Sequence, residues 1–314
     1  MEATLHKRYC SYSDFFREKF GARVQKLVVD AGFTCPNRDG SLGYGGCSFC
    51  DNRAFHPGYS TPEKSIATQL DEGIEFHRRR YRRSCGYLAY FQPHTNTYAP
   101  LERLRSLYSE ALSHPEVTGI VIGTRPDCVD SGVLELLKEL SKDKFVIVEY
   151  GSESCYDRTL RRVNRGHSWQ QAVDAVRATA EAGLMQGAHF ILGLPGESRD
   201  DMLAYADAIN SLPLDTVKFH QLQIIRGTAM EAEYERSPED FVTWTLDEYI
   251  DFFIDILERL RPDLYIERFA GEVPPRFVKS TPWGLVRNYD IIARMEKLLE
   301  ERDSRQGKLY NTQI

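Results

Sequence analysis

Residues 23–50 read "RVQKLVVDAGFTCPNRDGSLGYGGCSFC": a short β-branched run, then a loop with cysteines at positions 35, 47 and 50. The run 23–30 has the composition of a strand. The segment 35–50 holds four glycines with Asn37, Arg38 and Asp39, which is turn chemistry rather than core chemistry. Three thiols in such a loop call for an explanation. Buried structural cysteines fit poorly in so polar a segment. A zinc site suits the Cys47–Cys50 spacing but needs a fourth donor, such as His56 or Cys10. An iron–sulfur cluster ordinarily takes four thiolates. With three, one iron stays open to bind something else.

The rest of the chain repeats the strand-and-loop pattern. Apolar runs recur at 86–92, 117–124, 145–151, 187–194 and 216–224. Between them, 62–81, 101–112, 133–140, 169–182 and 199–212 carry the spacing of amphipathic helices. In one of these, Leu101, Leu104, Leu107, Tyr108 and Leu112 are expected to share a buried face. Strand alternating with helix predicts a parallel α/β sheet joined by crossovers, either an open doubly wound sheet or an incomplete barrel. In such folds ligands gather at the carboxyl ends of the strands. The cysteine loop follows the first strand. "TRPD" (124–127), "GSES" (151–154) and "GLPGE" (193–197) follow the third, fourth and fifth.

We divide the chain into an N-terminal helical segment (1–22), a core of alternating strands and helices (23–230) and a C-terminal α/β extension (231–314), all in one domain. In the extension, Leu246, Tyr249, Ile250, Phe253, Leu257 and Leu260 form one helical stripe, "LYIERF" (264–269) reads as a further short strand, and 285–302 as a last helix.

Composition narrows the function classes. A chain of 314 residues with 42% hydrophobic content can bury a sizeable core. No apolar run reaches the roughly 20 residues of a membrane helix. The N-terminus lacks a signal-peptide core, and seven cysteines do not pair off. A reduced, cytoplasmic protein is expected, with Cys10, Cys85, Cys128 and Cys155 as packed thiols. The net charge of −6 argues against indiscriminate nucleic-acid binding. One basic run stands out, Arg78, Arg79, Arg80, Arg82 and Arg83. It is either a solvated helix end or a phosphate-contacting surface.

The three thiols and their loop resemble the radical S-adenosylmethionine (SAM) enzymes, whose common signature is C-x3-C-x2-C with an aromatic residue before the last cysteine. Phe49 occupies that position. The first gap here is eleven residues rather than three. That longer loop resembles a subgroup of short bacterial proteins related to the catalytic subunit of Elongator. "YFQPHTNTYAP" (90–100), "IGTRPDC" (122–128), "VNRGH" (163–167), "HFILGLPGE" (189–197), "FHQLQIIRGT" (219–228), "IERFAGEVP" (266–274) and "TPWG" (281–284) resemble blocks of the same subgroup.

The resemblance implies a partial (βα)6 TIM-like barrel. It implies a [4Fe–4S] cluster on Cys35, Cys47 and Cys50, with S-adenosylmethionine chelated by the open iron. Phe49 and Ile191 would then lie beside the adenine, with Gly193 giving clearance. Gln92 would meet the methionine amino group and Arg165 its carboxylate, and Glu149, at the end of the fourth strand, the ribose. Glu153 stands where the family usually has Gln. The implied chemistry is reductive cleavage of S-adenosylmethionine to a 5′-deoxyadenosyl radical that abstracts hydrogen from an unactivated C–H bond.

The subgroup further implies tRNA as substrate, with conversion of the 5-carboxymethylaminomethyl side chain of wobble uridine to 5-aminomethyl. A radical at the glycyl methylene, then oxidation and imine hydrolysis, is one route. The partners implied are tRNA, an electron donor such as flavodoxin or ferredoxin, and a downstream tRNA methyltransferase, with no membrane. The Arg78–Arg83 run becomes a candidate tRNA contact, and His189, Lys218 and His220 lie near the rim on faces that alternation does not settle. Two other readings share many of these features: a radical SAM enzyme acting on a small metabolite, and a non-catalytic iron–sulfur or zinc protein that binds RNA.

Overall fold

A computed structural model describes residues 7–54, 56–80, 86–279, 283 and 286–311, and of Arg80 the backbone alone. Seven strands form one sheet in sequential order: β1 Gln25–Val29, β2 Tyr87–Phe91, β3 Val117–Thr124, β4 Phe145–Glu153, β5 Met185–Leu192, β6 Thr216–Gln221 and β7 Tyr265–Arg268. Every adjacent pair is parallel. Sequential parallel order with a helix between strands is the barrel solution, since a doubly wound sheet would reverse direction at a switch point. The seventh strand is the "LYIERF" segment, so the region beyond residue 230 extends the sheet itself.

Helices cover the outer face, as the apolar spacing requires. After α1 Tyr12–Phe20, which is placed differently, they include α2 Ile66–Arg80, α3 Leu101–Ser113, α4 Ser131–Leu140, α5 Asp157–Arg162 and α6 Trp169–Glu181. Then follow α7 Arg199–Leu203, α8 Tyr205–Asn210, α9 Ala229–Arg236, α10 Leu246–Arg259 and α11 Asn288–Glu301. All six residues of the 246–260 stripe are buried. In α3, Leu104, Tyr108 and Leu112 are buried but Leu101, the first residue of the helix, is exposed. The expected 199–212 helix is interrupted at Ala204, where the next turn's bond from Ala208 N stretches to 3.4 Å.

The inner face is closed at one end only. α1 does not join the outer layer. Its Tyr12 and Phe16, with Phe15 and Phe20, pack on Phe145, Leu88, Val121 and Ile147 inside the curved sheet. Ser11, just before α1, forms a parallel bridge to Ile266 of β7. An aromatic plug therefore fills the amino-terminal end of the barrel, and the opposite end stays open. No helix among the described residues is long and apolar enough to cross a membrane.

Candidate functional site

Above the plug lies a layer of buried charge. Lys218 Nζ sits 3.0 Å from Glu149 and 2.8 Å from Glu267. Lys26 pairs with both carboxylates as well, at 2.8 Å from Glu267. His189 Nε2 lies 2.9 Å from Glu149, and the Tyr90 hydroxyl lies 3.1 Å from Lys218. Burial alone would raise the Glu149 pKa, but Lys218, Lys26 and His189 together hold it well below the carboxylate range. His189, Lys218 and His220 all face inward, which strand alternation left open.

The open end carries a cavity of about 220 Å³. Cys35, Cys47 and Cys50 all line it, although they are spread over sixteen residues of loop. The loop folds back on itself through Arg38 N to Cys35 O, Gly46 N to Asn37 O and Cys50 N to Cys47 O. Gly45 and Gly46 have φ of +83° and +76°, which a side chain rarely adopts. Asn164 ties the loop to the end of α5, donating to Gly46 O at 2.8 Å.

Donors converge on the sulfurs. Asn37 Nδ2 and Arg165 Nη1 each lie 3.4 Å from Cys47 Sγ, and the Thr95 hydroxyl lies 3.2 Å from Cys35 Sγ. As free thiols, Cys35 is pushed up by burial against the pull of Thr95 and Arg165. Cys50 is pushed up to about 12 by burial and by Cys47. Three thiols facing one cavity amid cations and N–H donors fit a thiolate-held cluster, which takes one thiolate per iron. Of the two zinc donors considered above, neither Cys10 nor His56 lines the cavity, and Cys10 Sγ lies 2.9 Å from Pro262 O. His56 instead faces Asp30 at 3.6 Å.

Of the expected cofactor residues, Phe49, Gln92, Glu149, Arg165 and Ile191 line the cavity with the cysteines. Gly193 is not among the lining residues. It turns the chain after β5 at φ +96°, against Leu222 and Trp244. Glu149 does not end its strand. β4 runs on to Glu153, bending where its register to β5 shifts, so Glu149 sits deep in the charged layer with its carboxylate already engaged. Arg165 is buried, donates from Nε and Nη2 to Gly151 O, and faces Glu153 at 3.8 Å. Burial disfavours its charge, yet Cys47 and Glu153 outweigh that and raise its pKa.

Arg78 and Arg79 of the basic run are not brought to this site. Arg78 and Arg79 lie near the C-terminus of α2, at the amino ends of the strands, and pair with Glu116 and Glu75. Helices run back against the strands in a βα unit, so Arg78 and Arg79 occupy the end of the barrel opposite the cysteines. The Arg80 side chain, Arg82, Arg83 and Cys85 lie outside the described residues.

Several site residues escaped the sequence reading. Arg125 is fully buried, forks onto Asp127 at 2.7 Å and donates to Arg165 O. Arg38 and Asn37 lie between the cysteines, and Lys26, Glu267 and Arg268 come from the two edge strands. The available signal was charge inside strands, since a lysine in "QKLVV" has no solvated face in a barrel covered on both sides.

A parallel barrel with a cysteine-lined cavity at its carboxyl rim defines a protein built to hold a thiolate-bound cluster beside a ligand. Residues 35–209 match the radical SAM superfamily and residues 214–301 the radical SAM C-terminal domain. The chain belongs to the radical SAM superfamily, and its cofactors are a [4Fe–4S] cluster and S-adenosylmethionine. It is 34% identical over 308 residues to the uncharacterized protein YtqA of Bacillus subtilis, covering 98% of this chain and 94% of that one. It is 28% identical over 167 residues to a tRNA uridine(34) acetyltransferase of Methanocaldococcus infernus, covering 52% of this chain and 27% of that one. An archaeal Elp3 structure from the same organism, deleted at its N-terminus, shares the fold with a TM-score of 0.66 at 17% identity. That match covers 90% of this chain and 64% of the archaeal one.

Proposed function

We propose that the chain is a tRNA-modifying radical SAM enzyme that converts the 5-carboxymethylaminomethyl group of wobble uridine to 5-aminomethyl. The observation that carries the radical chemistry is the convergence of Cys35, Cys47 and Cys50 on one cavity with Arg165 beside them. The tRNA substrate is supported by the likeness to tRNA uridine(34) acetyltransferases. When bound, the cluster and S-adenosylmethionine supply a carbon radical able to take hydrogen from an unactivated C–H bond.

The protein's own part is to bind, orient and exclude. Asn37, Thr95 and Arg165 donate to the sulfurs and favour the thiolates. Arg165 grips the methionine carboxylate, a match of planar fork to planar anion, and Gln92 meets the methionine amino group. Phe49 and Ile191 give the adenine an apolar wall, continuous with Leu194, Met230 and Phe241. The aromatic plug below keeps water from entering through the barrel. A flavodoxin or ferredoxin supplies the electron, and a methyltransferase takes the aminomethyl product.

The test is anaerobic 5′-deoxyadenosine formation by cluster-reconstituted, reduced protein, with and without tRNA that carries the 5-carboxymethylaminomethyl group. Cys35→Ala, Cys47→Ala and Cys50→Ala serve as controls, and nucleosides are followed by mass spectrometry. Formation that rises with tRNA, vanishes in the variants and yields 5-aminomethyluridine supports the reading. Formation indifferent to tRNA sends the search to small metabolites. A well-formed cluster with no cleavage sinks the enzyme.

A further inference from the structure

The charges lining the cysteine cavity can be matched one against another. Lys218 lies between Glu149 and Glu267, and Arg125 is forked onto Asp127. Arg165 faces Glu153 and the Cys47 sulfur, and Arg38 lies where the three cysteine thiolates hold its pKa up. One cation is left over. Arg268, the last residue of β7, also lines the cavity, and among the described residues it has neither an ion pair nor a hydrogen bond.

Its direction is set by a defect in the strand. β6 and β7 pair Val217 with Ile266 and then Lys218 with Arg268, so Glu267 is an extra residue opposite nothing. Strict alternation would send Glu267 and Arg268 to opposite faces. The bulge lets both turn inward, and bulges are a common means of re-aiming a side chain at a site. The Arg268 charge reaches the interior: after burial itself, it is the leading influence disfavouring protonation of His220. A partly buried guanidinium without a counter-charge is costly to keep, and an anion that enters the cavity offsets that cost.

A second cavity of about 450 Å³ adjoins the first, sharing Gln221, Leu222 and Gln223 with it. Tyr234, Phe241 and Trp244 contribute to its wall. Its size and mixed aromatic and amide lining suit a planar ring. A base held there would send its side chain past the end of β6 toward Arg268.

We infer that Arg268 recognises the carboxylate of the substrate, which on the proposed substrate is the carboxylate of the 5-carboxymethylaminomethyl side chain. This rests on the wobble-uridine reading above. It also accounts for product release. Loss of the carboxymethyl group removes the carboxylate from a zwitterion and leaves a lone primary ammonium, which Arg268 repels.

The experiment uses reconstituted, reduced holoenzyme with two tRNA preparations, one carrying the 5-carboxymethylaminomethyl group and one the same group as its methyl ester. The wild type is expected to prefer the acid at least tenfold in KM. Arg268→Gln should raise KM for the acid about 10- to 100-fold, the span of a charged hydrogen bond, and erase the preference. Arg268→Lys should restore part of it, and affinity for S-adenosylmethionine should stay within twofold. Equal losses on acid and ester, or a loss confined to S-adenosylmethionine affinity, would overturn the assignment. Binding of the acid and ester nucleosides, followed by tryptophan fluorescence, separates the two claims. Preferential binding of the acid that Arg268→Gln abolishes, without turnover of either tRNA, would keep Arg268 and reject the reaction. Equal binding of the two by the wild type would reject Arg268.

Discussion

Lys26 of β1 and Glu267 of β7 meet across the barrel interior at 2.8 Å, joining the two edge strands of a sheet that has no direct strand pairing between them. Lys26 also pairs with Glu149, so two buried carboxylates share it with Lys218. Removing one partner of a buried ion pair costs about 3–5 kcal/mol, because the charge left behind stays desolvated. Lys26→Met should therefore lower the urea midpoint by an amount equal to about 3 kcal/mol. Lys26→Met combined with Glu267→Gln should recover part of it. A single variant as stable as wild type would mean that the layer is already satisfied by Lys218.

Gly151 offers a way to disturb the site without touching a charged group. A Cβ at this position would stand 2.6 Å from both Arg165 Nη2 and Glu153 Oε1. Since Arg165 is held there by its bonds to Gly151 O, Gly151→Ala should displace the guanidinium while the barrel still folds. The expected result is a rise of at least tenfold in the dissociation constant for S-adenosylmethionine, with the cluster spectrum retained. Unchanged affinity would separate Arg165 from the ligand.

Direct replacement of Arg165 gives the complementary measurement. Arg165→Lys keeps one positive charge but loses the planar fork. If Arg165 holds the carboxylate of S-adenosylmethionine through two bonds, the lysine variant should bind it about 10- to 100-fold more weakly. Its affinity for a decarboxylated analogue should match that of wild type. Equal weakening for both ligands would point to general disruption of the Cys47 surroundings.

Much of this was legible in the sequence because the signals were periodic or chemically unusual. Alternating strands and helices gave the parallel sheet, the family resemblance chose the barrel over a doubly wound sheet, and cysteines in a glycine-rich loop pointed to the cavity. Charge inside the barrel was harder to read. Glu149 sits in "VIVEYG", where a polar residue near the end of an apolar run looks like a strand terminus, yet β4 continues four residues beyond it. Lys26, Lys218 and Glu267 each look solvated alone, and only the curvature that brings β1 near β7 makes them partners. The inward turn of Arg268 depends on a bulge set by strand register, which no local pattern records. The place of Arg78 and Arg79 was hidden for a related reason. The composition of the basic run suits phosphate, but which end of a barrel a helix terminus occupies is a matter of topology.

That placement makes its own prediction. Arg78 and Arg79 stand at the amino end of the barrel, paired with Glu116 and Glu75 and mostly exposed. Exposed pairs of this kind contribute about 0–1 kcal/mol. Arg78→Glu together with Arg79→Glu should leave stability nearly unchanged and the KM for tRNA within about threefold of wild type. A tenfold rise, relieved at low salt, would show that the RNA wraps to the far end of the barrel.

His167 gives the pH dependence its sign. The ring is buried behind Arg165, with Nε2 3.3 Å from Gly151 O, and burial first and Arg165 second lower its pKa to about 3. An unfolded histidine titrates near 6.5. Above that pH both states are neutral and the group adds no pH dependence. As pH falls from 6.5 toward 3, the unfolded chain gains a proton that the folded chain refuses, so stability drops by about 1.4 kcal/mol per pH unit. His220 is lowered for the same leading reason, burial, and acts in the same direction. Urea midpoints of wild type should therefore decline steadily between pH 6 and 4. His167→Gln should flatten that decline by about one proton's slope, whatever its stability at pH 7. Parallel curves would mean that His167 is already protonated in the folded protein, with Asp127 outweighing the two arginines around it.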